Sequence, residues 1–398
     1  MKFERLGEKI TQVRGISYKP NEISAIPTPD YVPILKANNI QEDGIDTSDL
    51  IYIHKSKVKP EQFIRKGDLL LAASSGSKEI VGKNIYFESD FDGSFGAFCK
   101  LVRPKKNINP RYLATFFKSV SYKRHIKKLL SGALINNLKN EYIDSLLIPE
   151  LSDSDQHHIA NILSKAENLI AQRKESIRLL DEFLKSMFLE MFGEPSTNNK
   201  NFPKGKIKDV VSEVKYGTSS PAEDEGLYPY LRMNNITPEG YMDFSKLKFI
   251  NINDEKEKEK YVVRKGDLLF NRTNSKELVG KTGVFNEDSE MIIAGYLIRV
   301  RTNEKANPWF LWGYLNSIHG KQTLLGMCKS IVGMANINAQ ELQGIKILIP
   351  PIELQTQFAQ IIEKTETIKS QYQQSLQELE NLYGSLSQKA FRGELIKN

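Results

Sequence analysis

Two stretches of the chain carry apolar residues at a seven-residue spacing. Between them, short apolar runs alternate with turn residues. In the first stretch, 156–192, Leu163, Ile170, Ile177, Leu184 and Met191 fall seven apart; Ala166, Leu180 and Met187 fill a second row, which Arg173 breaks. In the second, 353–391, the rows are Ile362, Leu376, Tyr383 and Ala390, and Thr365, Tyr372, Leu379 and Leu386, with Lys369 as the interruption. A stripe sustained over several heptads is the seam of a coiled coil. Helices of this size reach about 55 Å at a rise of about 1.5 Å per residue. A seam in water needs a partner, and neither stretch carries a second matched stripe. The pattern therefore predicts that the two helices pair antiparallel within one chain. Leu163, Ile170, Ile177, Leu180 and Leu184 would meet Ile362, Tyr372, Leu376, Leu379 and Leu386.

The remaining pattern is mixed. GDLLLAAS at 67–74, FGAFCKLVR at 95–103, GDLLFNRT at 266–273 and MIIAGYLIRVR at 291–301 are apolar runs bounded by turn residues and read as buried strands. PRYLATFFKSVSYKRHIKKLL at 110–130 and PWFLWGYLNSIHGKQTLL at 308–325 have helical spacing. Each opens on a proline, whose missing N–H costs nothing in a first helical turn. The globular parts are thus α+β.

The same unit is written twice. RKGDLL at 65–70 returns at 264–269, SKEIVGK at 77–83 returns as SKELVGK at 275–281, YVPILKANNI at 31–40 as YPYLRMNNI at 228–236, and LLIPE at 146–150 as ILIPP at 347–351. A heptad helix follows each of the last pair. Collinear matches at an offset near 199 indicate duplication of a domain, not a solenoid of short units. The predicted organisation is a first globular domain at 1–153, a helix at 154–193, a linker at 194–202, a second globular domain at 203–352 and a C-terminal helix at 353–398. Duplication with matched seams predicts a pseudo-two-fold molecule.

Composition narrows the function. The chain has 398 residues, 40% hydrophobic and 26% charged, which is ordinary for globular proteins. No apolar run approaches the length of a membrane span, and MKFERLGEKITQ lacks the apolar core of a secretory signal. Two cysteines cannot frame a disulfide scaffold, and the five histidines lack metal-ligand spacing. A cytoplasmic protein without membrane contact or structural metal is expected. The formal charge of +7 permits a nucleic-acid partner. Signatures for phosphate-binding loops, nucleophile elbows and zinc hydrolases are absent, as is the Asn/Asp-Pro-Pro-aromatic signature of adenine methylation, so the chain reads as a binder with no catalytic residues.

Two features would serve DNA. Between Leu101 and Leu130 stand nine Lys/Arg and no Asp or Glu. Within that stretch Lys123, Arg124, Lys127 and Lys128 are placed to neutralise phosphates. After each GDLL strand comes a polar loop: Ser74, Ser75, Ser77, Lys78 and Lys83 in copy one; Asn271, Arg272, Asn274, Ser275, Lys276 and Lys281 in copy two. Arg reads guanine, Asn reads adenine, and Ser serves either. A plain polar loop and a solubilising helix are the competing readings of these features.

Taken together, the duplicated LxxNNI, KGDLL…GK and LxIP motifs, each copy closing on a long helix, resemble the specificity subunit of type I restriction–modification enzymes over essentially the whole chain. The resemblance rests on Leu35–Ile40, Lys66–Leu70 and Leu147–Pro149, and on Leu231–Ile236, Lys265–Leu269 and Ile347–Pro350. It implies two target recognition domains, each reading half of a split double-stranded DNA site, with Asn38, Asn39, Arg232, Asn234 and Asn235 joining the loops above as candidates. It implies paired helices that act as a ruler and dock two methyltransferase subunits, joined by restriction subunits in the full complex. S-adenosylmethionine, ATP and Mg would be used by those partners, with no cofactor on this chain. Copy two has Arg272 where copy one has Ala73, so the half-sites should differ. The competing readings are a stand-alone DNA-modifying enzyme and a coiled-coil adaptor.

Overall fold

The strands of the GDLL runs, Leu69–Ala72 and Leu268–Asn271, are apolar at every position but Asn271 because they are covered on both faces. A computed structural model describes residues 2–41, 44–77, 79–131, 137–331 and 334–395. In it Leu69–Ala72 is a central strand of a four-stranded antiparallel sheet, ordered Ile10–Arg14, Cys99–Pro104, Leu69–Ala72, Asn84–Tyr86. Side chains alternate along a strand. Leu69 and Leu71 therefore enter a core with Tyr112, Phe116 and Leu163, while Leu70 and Ala72 enter a second core with Leu35, Phe95 and Leu101. A second sheet, Ile23–Ser24, Ile51–His54, Tyr31–Leu35, Ser94–Phe95, has its last pair parallel.

The second copy repeats this plan. Its sheets are Val211–Tyr216, Leu297–Thr302, Leu268–Asn271, Thr282–Val284, and Lys248–Ile250, Tyr228–Leu231, Met291–Ile293, Val262–Val263. It also contains a small sheet of Thr273–Asn274, Met334–Asn336 and Lys329–Ile331. Leu268 and Phe270 enter one core and Leu269 the other.

The aspartate of each KGDLL motif locks its sheet. Asp68, 1% exposed, accepts two bonds of 2.8 Å from the Arg103 guanidinium and one of 2.8 Å from the Arg65 backbone N–H. Asp267 does the same with Arg301 at 2.8 and 3.2 Å and Arg264 N–H at 2.9 Å. Such bidentate, desolvated pairs are the strong ones, which explains why the motif appears in both copies.

Each predicted helix at 110–130 and 308–325 is in fact two. Pro110–Lys118 breaks at Ser119 before Val120–Ser131, and Pro308–Asn316 breaks at Ser317 before Ile318–Met327. Both serines have extended backbone, with ψ of 153° and 162°, so the helical ladder stops there. The predicted prolines do open the first helices, each behind an asparagine cap, Asn109 or Asn307. The apolar runs at 95–103 and 291–301 are likewise not single strands. Each is interrupted by a turn, at Gly96–Phe98 and Ala294–Tyr296.

Contacts divide the chain into two units, Met1–Lys174 with Gln374–Asn398, and Glu175–Gln373. These differ from the sequence boundaries, because the central helix (Asp153–Phe192) and the C-terminal helix (Ile352–Arg392) each give half their length to either unit. In the first unit Tyr383 donates to Glu167 at 2.8 Å, Lys174 lies 3.6 Å from Glu380, and Phe391 packs on Tyr112 and Phe116. In the second, Lys369 lies 2.6 Å from Asp181, and Phe358 packs on Phe188 and Phe192. Within each unit, a rising number on one helix meets a falling number on the other, so the pairing is antiparallel.

Burial grades the seam. Leu163, Leu184 and Ile362 are buried; Ile170, Ile177, Leu180, Tyr372, Leu376, Leu379 and Leu386 are half-buried. The interruption at Lys369 is itself buried, with its ammonium 3.6 Å from the centre of the Tyr241 ring.

Candidate nucleic-acid interface

Sheet topology brings three segments to one edge of each unit. Strand Tyr31–Leu35 runs parallel to Ser94–Phe95 and ends beside it. Strand Leu69–Ala72 runs antiparallel to Cys99–Pro104, with Ala72 opposite Cys99. The loops that leave Leu35 and Ala72 therefore emerge on either side of the Gly96–Phe98 turn. In the second unit, Leu231 and Asn271 deliver their loops to the Ala294–Tyr296 turn in the same way.

In the LxxNNI loops, the first asparagine is available and the second is not. Asn38 and Asn234 are exposed. Asn39 and Asn235, 1% and 2% exposed, brace their own loops. Asn39 accepts from Lys36 N–H and donates to the Asp46 carbonyl, both at 2.8 Å; Asn235 accepts from Arg232 N–H at 2.9 Å and donates to the Asp243 carbonyl at 2.8 Å. Both are scaffold residues, a correction to the expectation above. Arg232 is half-buried, 3.4 Å from the Lys246 carbonyl.

In the loops after GDLL, Ser74, Ser75 and Lys83 are half-buried and Ser77 is exposed; Lys78 lies outside the described residues. Gly82 and Gly280 turn each loop back with φ of +88° and +79°, and a Cβ there would meet Ile126 at 2.8 Å or Leu324 at 2.7 Å. In copy two, Asn271 is fully buried, and among the described residues neither side-chain polar atom has a partner, so it cannot read a base in this conformation. Lys281 is also buried: its ammonium holds the Met233 carbonyl at 2.8 Å and that of Ile236, tying this loop to the neighbouring LxxNNI loop, and burial lowers its pKa. These two leave the list of reading residues. Arg272 is half-buried, its guanidinium 4.8 Å from the centre of the Tyr216 ring; the Tyr216 hydroxyl is fixed by a 2.8 Å bond from Ala339 N–H. Asn274 accepts from Ser275 N–H at 2.8 Å; both are half-buried, and Lys276 is exposed.

The basic stretch folds as an amphipathic helix. Tyr122, Ile126 and Leu130 are buried, and Lys123, Arg124, Lys127 and Lys128 are exposed. At about 100° per residue the four cations cover an arc of about 140°. The Tyr122 hydroxyl donates to the Gly82 carbonyl at 3.0 Å, which seats the helix against the loop after GDLL. Burial, then Lys128, holds His125 below the ordinary histidine range, so it adds no charge at neutral pH. The corresponding helix of the second unit, Ile318–Met327, has no such stripe. It carries one cation, Lys321, whose pKa burial pulls down to about 8.

Sequence reading missed Phe98 and Tyr296, which stand at the tips of the two turns, 68% and 51% exposed. The signal was the glycine inside each apolar run, which marks a turn rather than a strand. Among the described residues no group of His, Cys, Asp or Glu could hold a metal ion, and no helix is long and apolar enough to cross a membrane.

The family model for the type I restriction modification DNA specificity domain matches twice, at residues 17–179 and 199–381. The chain is 30% identical over 405 residues to the type I restriction enzyme EcoKI specificity subunit of Escherichia coli K12, covering 97% of this chain and 87% of that one. It is 31% identical over 406 residues to the StySPI specificity subunit of Salmonella potsdam, with the same coverage. Among solved structures, the type I restriction–modification S subunit from M. genitalium is similar in fold, with a TM-score of 0.58 at 14% identity over 98% of this chain and 96% of that one. A chain from a structural study of complex assembly and conformational transition in the type I R-M system gives 0.54 at 20% identity, over 98% and 97%.

Proposed function

The chain belongs to the type I restriction–modification DNA specificity family, and we propose that it reads an asymmetric two-part sequence in double-stranded DNA, one half with each unit. The observation that carries this reading is the duplicated sheet edge. Both units present the same three segments there, but with different side chains: Ser74 and Ser75 in one, Arg272 and Asn274 in the other. Phosphate contacts position a protein on DNA and base contacts specify the site. In this reading the basic helix does the first and the edge loops do the second.

The chain itself is non-catalytic. Two methyltransferase subunits bind S-adenosylmethionine and methylate adenine, and restriction subunits use ATP and Mg for cleavage. Support for two equivalent docking positions comes from apolar residues that point away from the helix seam at matched positions. Leu169 and Ile368 are 50% and 40% exposed, and Phe183 and Leu382 are 45% and 51% exposed.

Methylome sequencing of the source strain with and without this gene tests the reading. Loss of a two-part adenine-methylation motif on deletion is expected, with half-site centres about one helical turn, roughly 10 bp, apart. A contiguous motif, or no change in methylation, overturns it.

A further inference from the structure

We propose that Phe98 and Tyr296 are a matched pair of wedges, each entering one base step of the half-site that its unit reads. The inference rests on the DNA-reading role above and adds a specificity element that acts through DNA shape.

The first observation is exposure. A large apolar ring on a protein surface gains nothing from water, and burying one is favourable. The second is equivalence. In both units the exposed ring occupies the third position of the turn between the short parallel strand and the long central strand.

The third is rigidity. In the first unit the turn is closed by Cys99 N–H to Gly96 O at 2.8 Å and tied by Ile16 N–H to Phe95 O, Gly96 N–H to Leu35 O, Ala97 N–H to Ile16 O and Ala73 N–H to Phe98 O, at 2.8 to 2.9 Å. The second unit repeats every one of these bonds: Leu297 to Ala294, Thr218 to Ile293, Ala294 to Leu231, Gly295 to Thr218 and Arg272 to Tyr296, at 2.7 to 3.0 Å. A tip held this way carries its ring into a partner without paying to order a loop.

The fourth is position. The Phe98 carbonyl holds the N–H groups of Ala73 and Ser74, and the Tyr296 carbonyl that of Arg272. The ring thus stands at the root of the loop that carries the candidate base-reading side chains, with the exposed Asn38 or Asn234 loop leaving the adjacent strand. Donors and acceptors on both sides of an aromatic ring match a base step, whose edges are polar and whose faces are apolar. Apolar side chains inserted between bases partly unstack them and kink the duplex, and the sequence of the step sets the cost of that deformation.

The test uses the chain assembled with its methyltransferase subunits and a duplex recovered from a randomised pool by binding. 2-Aminopurine is placed in turn at positions other than the methylated adenine, since its fluorescence rises on unstacking. Wild type should raise the fluorescence at one step in each half-site. Phe98→Ala should abolish the rise in one half only and Tyr296→Ala in the other, each weakening binding by about 5- to 150-fold. Phe98→Trp should keep both the fluorescence rise in its own half-site and the affinity, which a merely structural role would not explain. Wild-type binding with no fluorescence rise, or alanine variants that bind and unstack like wild type, overturns the wedge and leaves the DNA-reading role intact. Alanine variants that lose only their grip on the methyltransferase subunits also overturn it, by making the rings a protein contact. Failure of wild type to bind any duplex overturns the DNA-reading role and the wedge with it.

Discussion

Replacing Lys123, Arg124, Lys127 and Lys128 together by glutamine measures how the chain divides affinity from specificity. All four side chains are exposed on one face of the helix Val120–Ser131. Each cation on a phosphate releases counterions and adds about 0.9 to the slope of log affinity against log salt. Four contacts set an upper bound of about 3.6. Between about 50 and 200 mM salt, the wild-type complex should then lose up to about 150-fold more affinity than the variant. Glutamine keeps helix propensity and these positions bury nothing, so the melting temperature should barely move. The assay is fluorescence anisotropy of the assembled complex on a cognate and an unrelated duplex across a salt series. Both affinities should fall together, leaving their ratio unchanged. An unaltered salt slope refutes the phosphate role, and so does a loss confined to the cognate duplex. Lys321→Gln in the second unit serves as the contrast. Its ammonium is largely desolvated, and burial lowers its pKa to about 8, so it should leave the slope unchanged.

Three further outcomes follow from burial and charge. Leu163→Ala and Ile362→Ala remove fully buried seam residues and should each cost about 2–5 kcal/mol by chemical denaturation, whereas Leu180→Ala and Leu379→Ala, only half-buried, should each cost less than about 2 kcal/mol; equal costs at all four sites would contradict the graded seam. Burial raises the Glu366 pKa, with Lys369 opposing and Asp181 adding. The folded state therefore keeps a proton that the unfolded state has lost, and stability falls as pH rises through that interval. Glu366→Gln should stabilise by on the order of 1 kcal/mol at neutral pH and by nothing below pH about 4, read from melting curves across pH. Arg272→Ala should cost about 1–3 kcal/mol in DNA binding and relax one position in the half-site read by the second unit; methylome motif calling on the variant checks it, and an unchanged, fully methylated motif removes Arg272 from the site.

The seven-residue stripes marked both long helices to within a few residues, because a seam repeats too often to be mistaken for anything else. The α+β character and the proline starts at Pro110 and Pro308 were legible for similar local reasons. The breaks at Ser119, Ser317 and the Gly96 and Gly295 turns were not. Apolar residues continue through all of them, although Val120, Ile318, Phe98 and Tyr296 at the breaks are exposed, so hydrophobicity alone does not say where the backbone turns. The Asp68–Arg103 and Asp267–Arg301 pairs were also invisible, their partners standing 35 and 34 residues apart along the chain.

Three of the candidate site residues serve the scaffold instead. Asn39, Asn235 and Lys281 lie in motifs that occur in both copies, and the structure spends all three on holding loops in place. A duplicated scaffold requires the same braces twice, whatever sequence it reads. Two halves that read different bases require different side chains on those braces. Within this chain, identity between copies together with burial therefore marks the frame, while Asn38 and Asn234, identical but exposed, stay available and further reading positions lie where loop residues differ between copies. Ala73 against Arg272 is the clearest: the two backbones make the same hydrogen bond to the aromatic tip, at 2.9 and 3.0 Å, while one side chain is a methyl group and the other a guanidinium resting on Tyr216. Phe98 and Tyr296 fall between the two classes, alike in kind but not in identity. That is what a wedge demands, since any base step accepts an aromatic face and only its depth and polar tip need to suit the sequence.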